Sequence, residues 1–395
     1  MKKIFLLFSI TTFLSMLAFA NDTAGQLLPT GEIKFERQPD ILLRQEALVL
    51  SDKIAVDYLF ENTSSHAITT EVFFPLPTTS PLVPYFRNGH NFDFKLFVNG
   101  KETPYQTHRR VTANGKDVTR YFDLMGLDSY DKTIEIDDSD VDGTNEKLRH
   151  IVKQLPVDVK KEMRQLGILK KSCLEVDPIT SNCIRPSQEE QLVSMDYRQE
   201  VSFYWSQTFP ANSTLHIYHE YVPSFLENSV GFPYAKDIPF TYQEGSNDTA
   251  WKAASYIVTT ANNWQQPIEK FHLLVMGEKG AAVSAYQEGD VSQTRVSDDK
   301  YILVEKRDFV PTSEILFEIA SDPSHSHTDM ILPRLYKTRK IVEKGSDHVK
   351  KLQSVLPLKE YVWAFPSQKG DWFVVINEGG EQYYTHKSNL IDFWN

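Results

Sequence analysis

The stretch Ile54-Ala55-Val56-Asp57-Tyr58-Leu59-Phe60-Glu61-Asn62-Thr63-Ser64-Ser65 decides how this chain is read. Ile54, Val56, Tyr58 and Phe60 fall at alternate positions, the period of a strand with one buried face. Four turn formers, Asn62 to Ser65, interrupt the alternation, which resumes at Ile68, Thr70, Val72 and Phe74. From Asp52 to Leu76 the chain therefore reads as a hairpin. The same period returns at Phe92, Phe94, Leu96 and Val98, ahead of the tight-turn dipeptide Asn99-Gly100. It returns again at Val201, Phe203 and Trp205, and at Leu215, Ile217, His219 and Tyr221. Further strands are expected at Ala254–Thr260, Phe271–Met276, Tyr301–Lys306 and Ile315–Ala320. Helices do not alternate with these strands, which argues against a doubly wound sheet and for an antiparallel β-sandwich.

One segment breaks the pattern. Leu148, Ile151, Val152 and Leu155 recur at helical spacing, and Val159, Met163 and Leu166 repeat it before Gly167, a C-cap residue. Pro156 separates the two helices, with Asp158 placed to cap the second. Residues 126–191 thus read as a small helical insert. It holds both cysteines of the chain, Cys173 and Cys183, which in an oxidising compartment pair as a staple. Residues 321–353 begin with Asp322-Pro323-Ser324-His325-Ser326-His327 and read as a linker. The aromatic segment after it, 354–395, is too short to share the main core and is expected to be a separate small β-barrel.

Of 395 residues, 41% are hydrophobic and 24% charged, a globular balance that excludes collagenous and low-complexity chains. The formal charge of −11 disfavours nucleic acid and anionic lipid as partners. The first twenty residues are an export leader: Lys2 and Lys3, the apolar run Ile4 to Leu17, then Ala18-Phe19-Ala20. Cleavage there leaves Asn21 first, with residues 21–320 as the body. No cysteine stands directly after the cleavage site, and no later stretch reaches spanning length. A periplasmic or secreted protein without an integral membrane segment is expected.

Several ordered blocks carry a resemblance. Asn21-Asp22-Thr23-Ala24, Tyr58-Leu59-Phe60-Glu61-Asn62-Thr63 and Phe73-Phe74-Pro75-Leu76-Pro77 resemble an exported bacterial family, the domain-of-unknown-function family numbered 4424. So do Tyr204-Trp205-Ser206-Gln207-Thr208-Phe209-Pro210, the run Tyr256 to Trp264, and Arg307-Asp308-Phe309-Val310-Pro311-Thr312. The resemblance implies an envelope location and transfers no activity. Gly370-Asp371-Trp372-Phe373-Val374-Val375, the Gly379-Gly380 turn and His386-Lys387-Ser388-Asn389-Leu390 resemble bacterial SH3-like domains. Tyr383-Tyr384 stand where those domains usually carry Gly-Trp. The resemblance implies binding of cell-wall peptides or protein partners. A domain this small cannot hide every ring, so Trp363, Trp372, Tyr383 and Tyr384 are read as lining a peptide groove, with packing in the barrel core as the alternative.

The candidate sites divide by chemistry. Asp138, Asp140 and Asp142 alternate ahead of Gly143, as in calcium loops, with Glu146 at the ninth position; the twelfth, normally a bidentate carboxylate, is Arg149. The alternative is a solvated acidic loop that caps the following helix. His325, His327 and Asp329 lie in the linker, where nothing pre-organises ligands. His216 and His219 should face opposite sides of a strand. Ser129-Tyr130-Asp131-Lys132 matches Ser-x-x-Lys without its companion elements, and no other catalytic motif is present. The sequence thus predicts a non-catalytic envelope protein with no cofactor beyond a candidate calcium ion, docking an envelope protein, a peptide or peptidoglycan through its tail. The second reading is a carbohydrate-binding or carbohydrate-active sandwich.

Overall fold

The computed structural model describes residues 22–78, 92–127, 146–176, 183–193, 197–223, 225–227, 250–277, 283–287, 290–297, 301–321, 332–338, 361–366, 371–376 and 382–392. The protein is mainly β, and the described strands form five sheets. A six-stranded sheet is centred on Thr23–Leu27, Ile68–Pro75, Tyr197–Phe209 and Gln106–Ala113. A seven-stranded sheet is centred on Ile268–Met276, Ile41–Leu50, Ile54–Asn62 and Ser213–Tyr221. A five-stranded sheet contains Ala250–Tyr256 and Ile315–Ser321. These three share one hydrophobic cluster, in which Val72, Phe74, Phe203 and Trp205 meet Tyr58, Phe60, Leu215 and Ile217. The pairing is antiparallel except that Ile268–Met276 runs parallel to Ile41–Leu50, so the seven-stranded sheet is mixed.

The strands expected around Asn62–Ser65 are present, but they do not pair with each other. Ile54–Asn62 lies in the seven-stranded sheet and Ile68–Pro75 in the six-stranded one. The expected hairpin is an arch between sheets. Asn62 explains it: its side chain is fully buried, accepts from the Ser64 amide at 2.9 Å and donates to the carbonyls of His66 and Phe209 at 2.9 Å. A second arch, from Tyr197–Phe209 to Ser213–Tyr221, crosses beside it, and the Asn212 amide donates to the Ser64 carbonyl at 3.0 Å. The two corners therefore brace each other. Alternation alone reports which face is buried, not which strand is the neighbour. At Asn99-Gly100 the expectation of a tight turn holds: both residues have positive φ, 50° and 74°, as a type I′ turn requires.

The insert has its own core and is only partly helical. Helices α1 (Thr119–Leu124), α2 (Glu146–Gln154) and α3 (Val157–Gln165) pack Phe122, Val152, Val159 and Met163 into one cluster with Leu169 and Leu192. The last two residues come from a two-stranded ribbon, Leu169–Val176 with Cys183–Leu192, where only helix and a disulfide loop were expected. Pro156, not Asp158, is the N-cap of α3; Asp158 sits in the first turn without a capping bond, where its charge suits the helix dipole. Gly167 follows at φ 77°, a conformation that favours glycine.

The segment expected as a linker contains a strand. Arg334–Thr338 pairs with Tyr361–Pro366 on one side and Leu390–Asp392 on the other, in a C-terminal sheet of five strands. The polar start of that segment conceals the apolar Leu335, which is 2% exposed. The C-terminal sheet uses both faces. Val362, Ala364, Phe373 and Val375 form its own small core. The opposite face presents Leu335 and Trp363 to Ala47, Val49, Ala55, Leu274 and Met276 on the outer face of the seven-stranded sheet. Alternation along Tyr361–Pro366 thus sends one set of side chains inward and the other onto the body.

Candidate functional site

Cys173 and Cys183 are bonded, with an S–S distance of 2.05 Å, and tie the two strands of the insert's ribbon together at the end where Val176 pairs with Cys183. Asp138, Asp140 and Asp142 lie outside the described residues, as do Ser129–Lys132, His325, His327 and Asp329; Glu146 opens α2. Among the described residues no three His, Cys, Asp or Glu side chains gather as a metal site. Trp363 is 5% exposed and packs against the body, so it is not available to line a peptide groove. Trp372 is half-buried, with its ring 5.7 Å from that of His386. Tyr383 and Tyr384 lie on the strand Gln382–His386, and their side chains are outside the described residues.

His216 and His219 do face opposite sides of Ser213–Tyr221, and each sits in a different polar centre. The outer centre joins the body to the C-terminal sheet. Asp57, 4% exposed, receives His216 Nε2 at 2.7 Å and Arg334 Nη2 at 3.1 Å. The Arg334 guanidinium also lies 5.1 Å from the Tyr218 ring centroid, a cation–π contact. A buried carboxylate needs such partners, because leaving it unpaired is far worse than burying it paired. Sequence reading missed Asp57 as a functional residue. It shares the outer register of Ile54–Asn62 with Ala55, Leu59 and a second carboxylate, Glu61, so its charge alone does not set it apart.

The inner centre is buried between the sheets. Tyr58 donates to the Tyr256 hydroxyl at 2.8 Å, which donates to Glu46 Oε1 at 3.3 Å. Burial pushes both phenol pKa values well up, and the Glu46 charge adds to the shift. Beside them, Asp22 Oδ1 lies 2.9 Å from His219 Nε2, out of line for a hydrogen bond. Burial raises the Asp22 carboxyl above its ordinary value, and the nearby His219 opposes the shift without cancelling it. The His219 ring is enclosed by Phe74, Phe94, Trp205 and Tyr58, with centroids between 4.8 and 5.5 Å away. Trp264 Nε1 donates to the Asp22 carbonyl at 2.8 Å, fixing the start of Thr23–Leu27. Shifted groups often mark a reactive site. Here Asp22, Glu46, Tyr58, Tyr256 and His219 are all 0% exposed, and Tyr58 and Tyr256 belong to the main hydrophobic cluster.

An accessible concavity lies instead in the insert, a cleft of about 690 Å³ between α2, α3 and the ribbon. Arg149, His150 and Lys153 come from α2, Lys160 from α3, and Glu189 and Glu190 from the ribbon. Arg149 Nη1 stands 3.8 Å from Glu189 Oε2, and Arg164 pairs with Glu190 from outside the cleft. Lys160 Nζ donates to the Lys153 carbonyl at 3.1 Å, a cation placed on the C-terminal end of α2.

A family model described as Domain of unknown function (DUF4424) matches residues 20–242 and 235–316. The chain belongs to this family. Both arches, the inner centre and the whole insert fall within the matched DUF4424 region, whereas the C-terminal sheet follows it. None of the curated proteins matches. Among solved structures, one similar chain is from Legionella pneumophila subsp. pneumophila str. Philadelphia 1 and is described as a candidate nutrient binding protein. It is 12% identical, covers 75% of this chain and 72% of its own, and superposes with a TM-score of 0.34.

Proposed function

We propose that this is an exported cell-envelope protein that binds and positions a partner instead of transforming a substrate. In this reading a β-sandwich body carries the disulfide-braced insert at one place and an SH3-like module at another. The observation that supports it is the seam made by Trp363, Leu335 and Arg334 on the seven-stranded sheet, which makes the C-terminal module a fixed part of the scaffold. A module held this way presents one surface in one orientation. That surface is the side carrying Trp372 and His386, with Trp363 reserved for the seam. The ligand is peptidoglycan or a peptide of the envelope, in a periplasmic or secreted setting.

The test is sedimentation of the full mature protein with purified peptidoglycan sacculi. Retention that falls in Trp372→Ala while the fold is kept supports docking through the module. Full retention in that variant moves docking elsewhere on the scaffold, and no retention of the wild type on sacculi refutes peptidoglycan as the partner.

A further inference from the structure

We infer that the cleft of the insert is a binding site for a short zwitterionic peptide, one that carries carboxylates together with a free amine. The size is right: about 690 Å³ lies within the range of roughly 300–1,000 Å³ typical of small-ligand sites. The floor is apolar, since Val152 lines the cleft and is 1% exposed, while the walls are charged. Lys153 and Lys160 are brought together where α2 ends and α3 begins, and among the described residues neither ammonium has a carboxylate partner. Glu189 stands across the cleft with Arg149 at 3.8 Å, and its side chain, 58% exposed, has further acceptor sites for a second cation.

Opposite signs on opposing walls select by charge pattern. A ligand carboxylate meets Lys153 and Lys160, and a ligand ammonium meets Glu189; a ligand of one sign satisfies only half of the site. The chain's formal charge of −11 makes a locally cationic wall an exception on this surface and concentrates anionic groups there. The insert's own core joins α2, α3 and the ribbon, and the disulfide ties the ribbon's two strands to each other, so little ordering is spent on binding. This inference rests on the proposed binding role but not on the C-terminal module, which lies in another sheet.

The experiment is isothermal titration of the full mature protein with the tripeptide Ala-Glu-Ala, free at both termini, beside the same tripeptide acetylated and amidated, which keeps a carboxylate but has no amine. The wild type should bind the free tripeptide more tightly than the blocked one. The double variant Lys153→Glu, Lys160→Glu should lose at least about tenfold in affinity with an unchanged circular dichroism spectrum. Glu189→Lys should lose the preference for the free amine. No heat with the wild type, or equal binding by the charge-reversed variant, overturns the inference. Retention of that variant on sacculi, alongside silent calorimetry, overturns the cleft while leaving the envelope-binding role standing.

Discussion

Trp363→Ala separates a seam from a groove. At 5% exposure the indole is out of solvent, packed among Val49, Ala55, Leu274 and Leu335. A buried large aromatic removes about 150–250 Å² from water. At roughly 25 cal/mol per Å² that corresponds to about 4–6 kcal/mol. A compact unfolded state already hides part of that area, which brings the expectation to about 3–5 kcal/mol, the usual cost of a large aromatic-to-alanine change in a core. A tryptophan lining an open groove would change stability by only about 0.5 kcal/mol. Urea unfolding of the mature protein, followed by circular dichroism, distinguishes these values. Proteolysis should locate the loss, because the C-terminal sheet detaches first when its anchor is removed. A loss below about 1 kcal/mol would refute the seam and restore Trp363 as a surface residue.

Replacing both Cys173 and Cys183 with serine opens a loop of sequence separation 10, worth about 2–3 kcal/mol in the chain-entropy model; faster amide exchange should appear in the ribbon and not in the body sheets. Asp22→Asn tests the inner centre by pH. Because the folded carboxyl is raised, its contribution to stability is fully present below the ordinary carboxylate value and is lost as pH rises through the folded one. Relative to Asp22→Asn, the wild type should therefore gain melting temperature on acidification from neutral pH; a constant difference would contradict the burial argument. Gly25→Ala places a methyl 3.0 Å from the Lys34 carbonyl oxygen and 3.1 Å from the Phe73 ring, and should destabilise by about 1–3 kcal/mol in thermal melts.

Much of this fold is legible in single residues. The alternation at Ile54–Phe60, Val201–Trp205 and Leu215–Tyr221 located real strands, because a half-buried strand must repeat every second residue. The partners were not legible, because Asn62 serves a buried arch as readily as it would serve a hairpin turn. The ribbon Leu169–Val176 with Cys183–Leu192 escaped notice since much of its second strand is exposed and polar, leaving no period to read. Leu335 is hidden for a different reason: one buried side chain in a polar segment gives no pattern, and its burial depends on strands from distant parts of the chain, carrying Ala47, Val49 and Ala55 and then Leu274 and Met276. Trp363 shows the limit of composition, which does not tell an aromatic seam from an aromatic groove. The cleft has no signature in the sequence, because Arg149 and the residues around it come from three separate elements.

The most direct test of the scaffold is to compare the full mature protein with a chain ending at Ser321. Removing the C-terminal sheet uncovers Ala47, Val49, Leu274 and Met276 on the seven-stranded sheet. A patch of this kind on an exposed sheet face should bind the dye ANS and lower the melting temperature of the body. An unchanged melting temperature with no dye bound would mean that the C-terminal sheet is merely tethered, and the account of a fixed scaffold would fall.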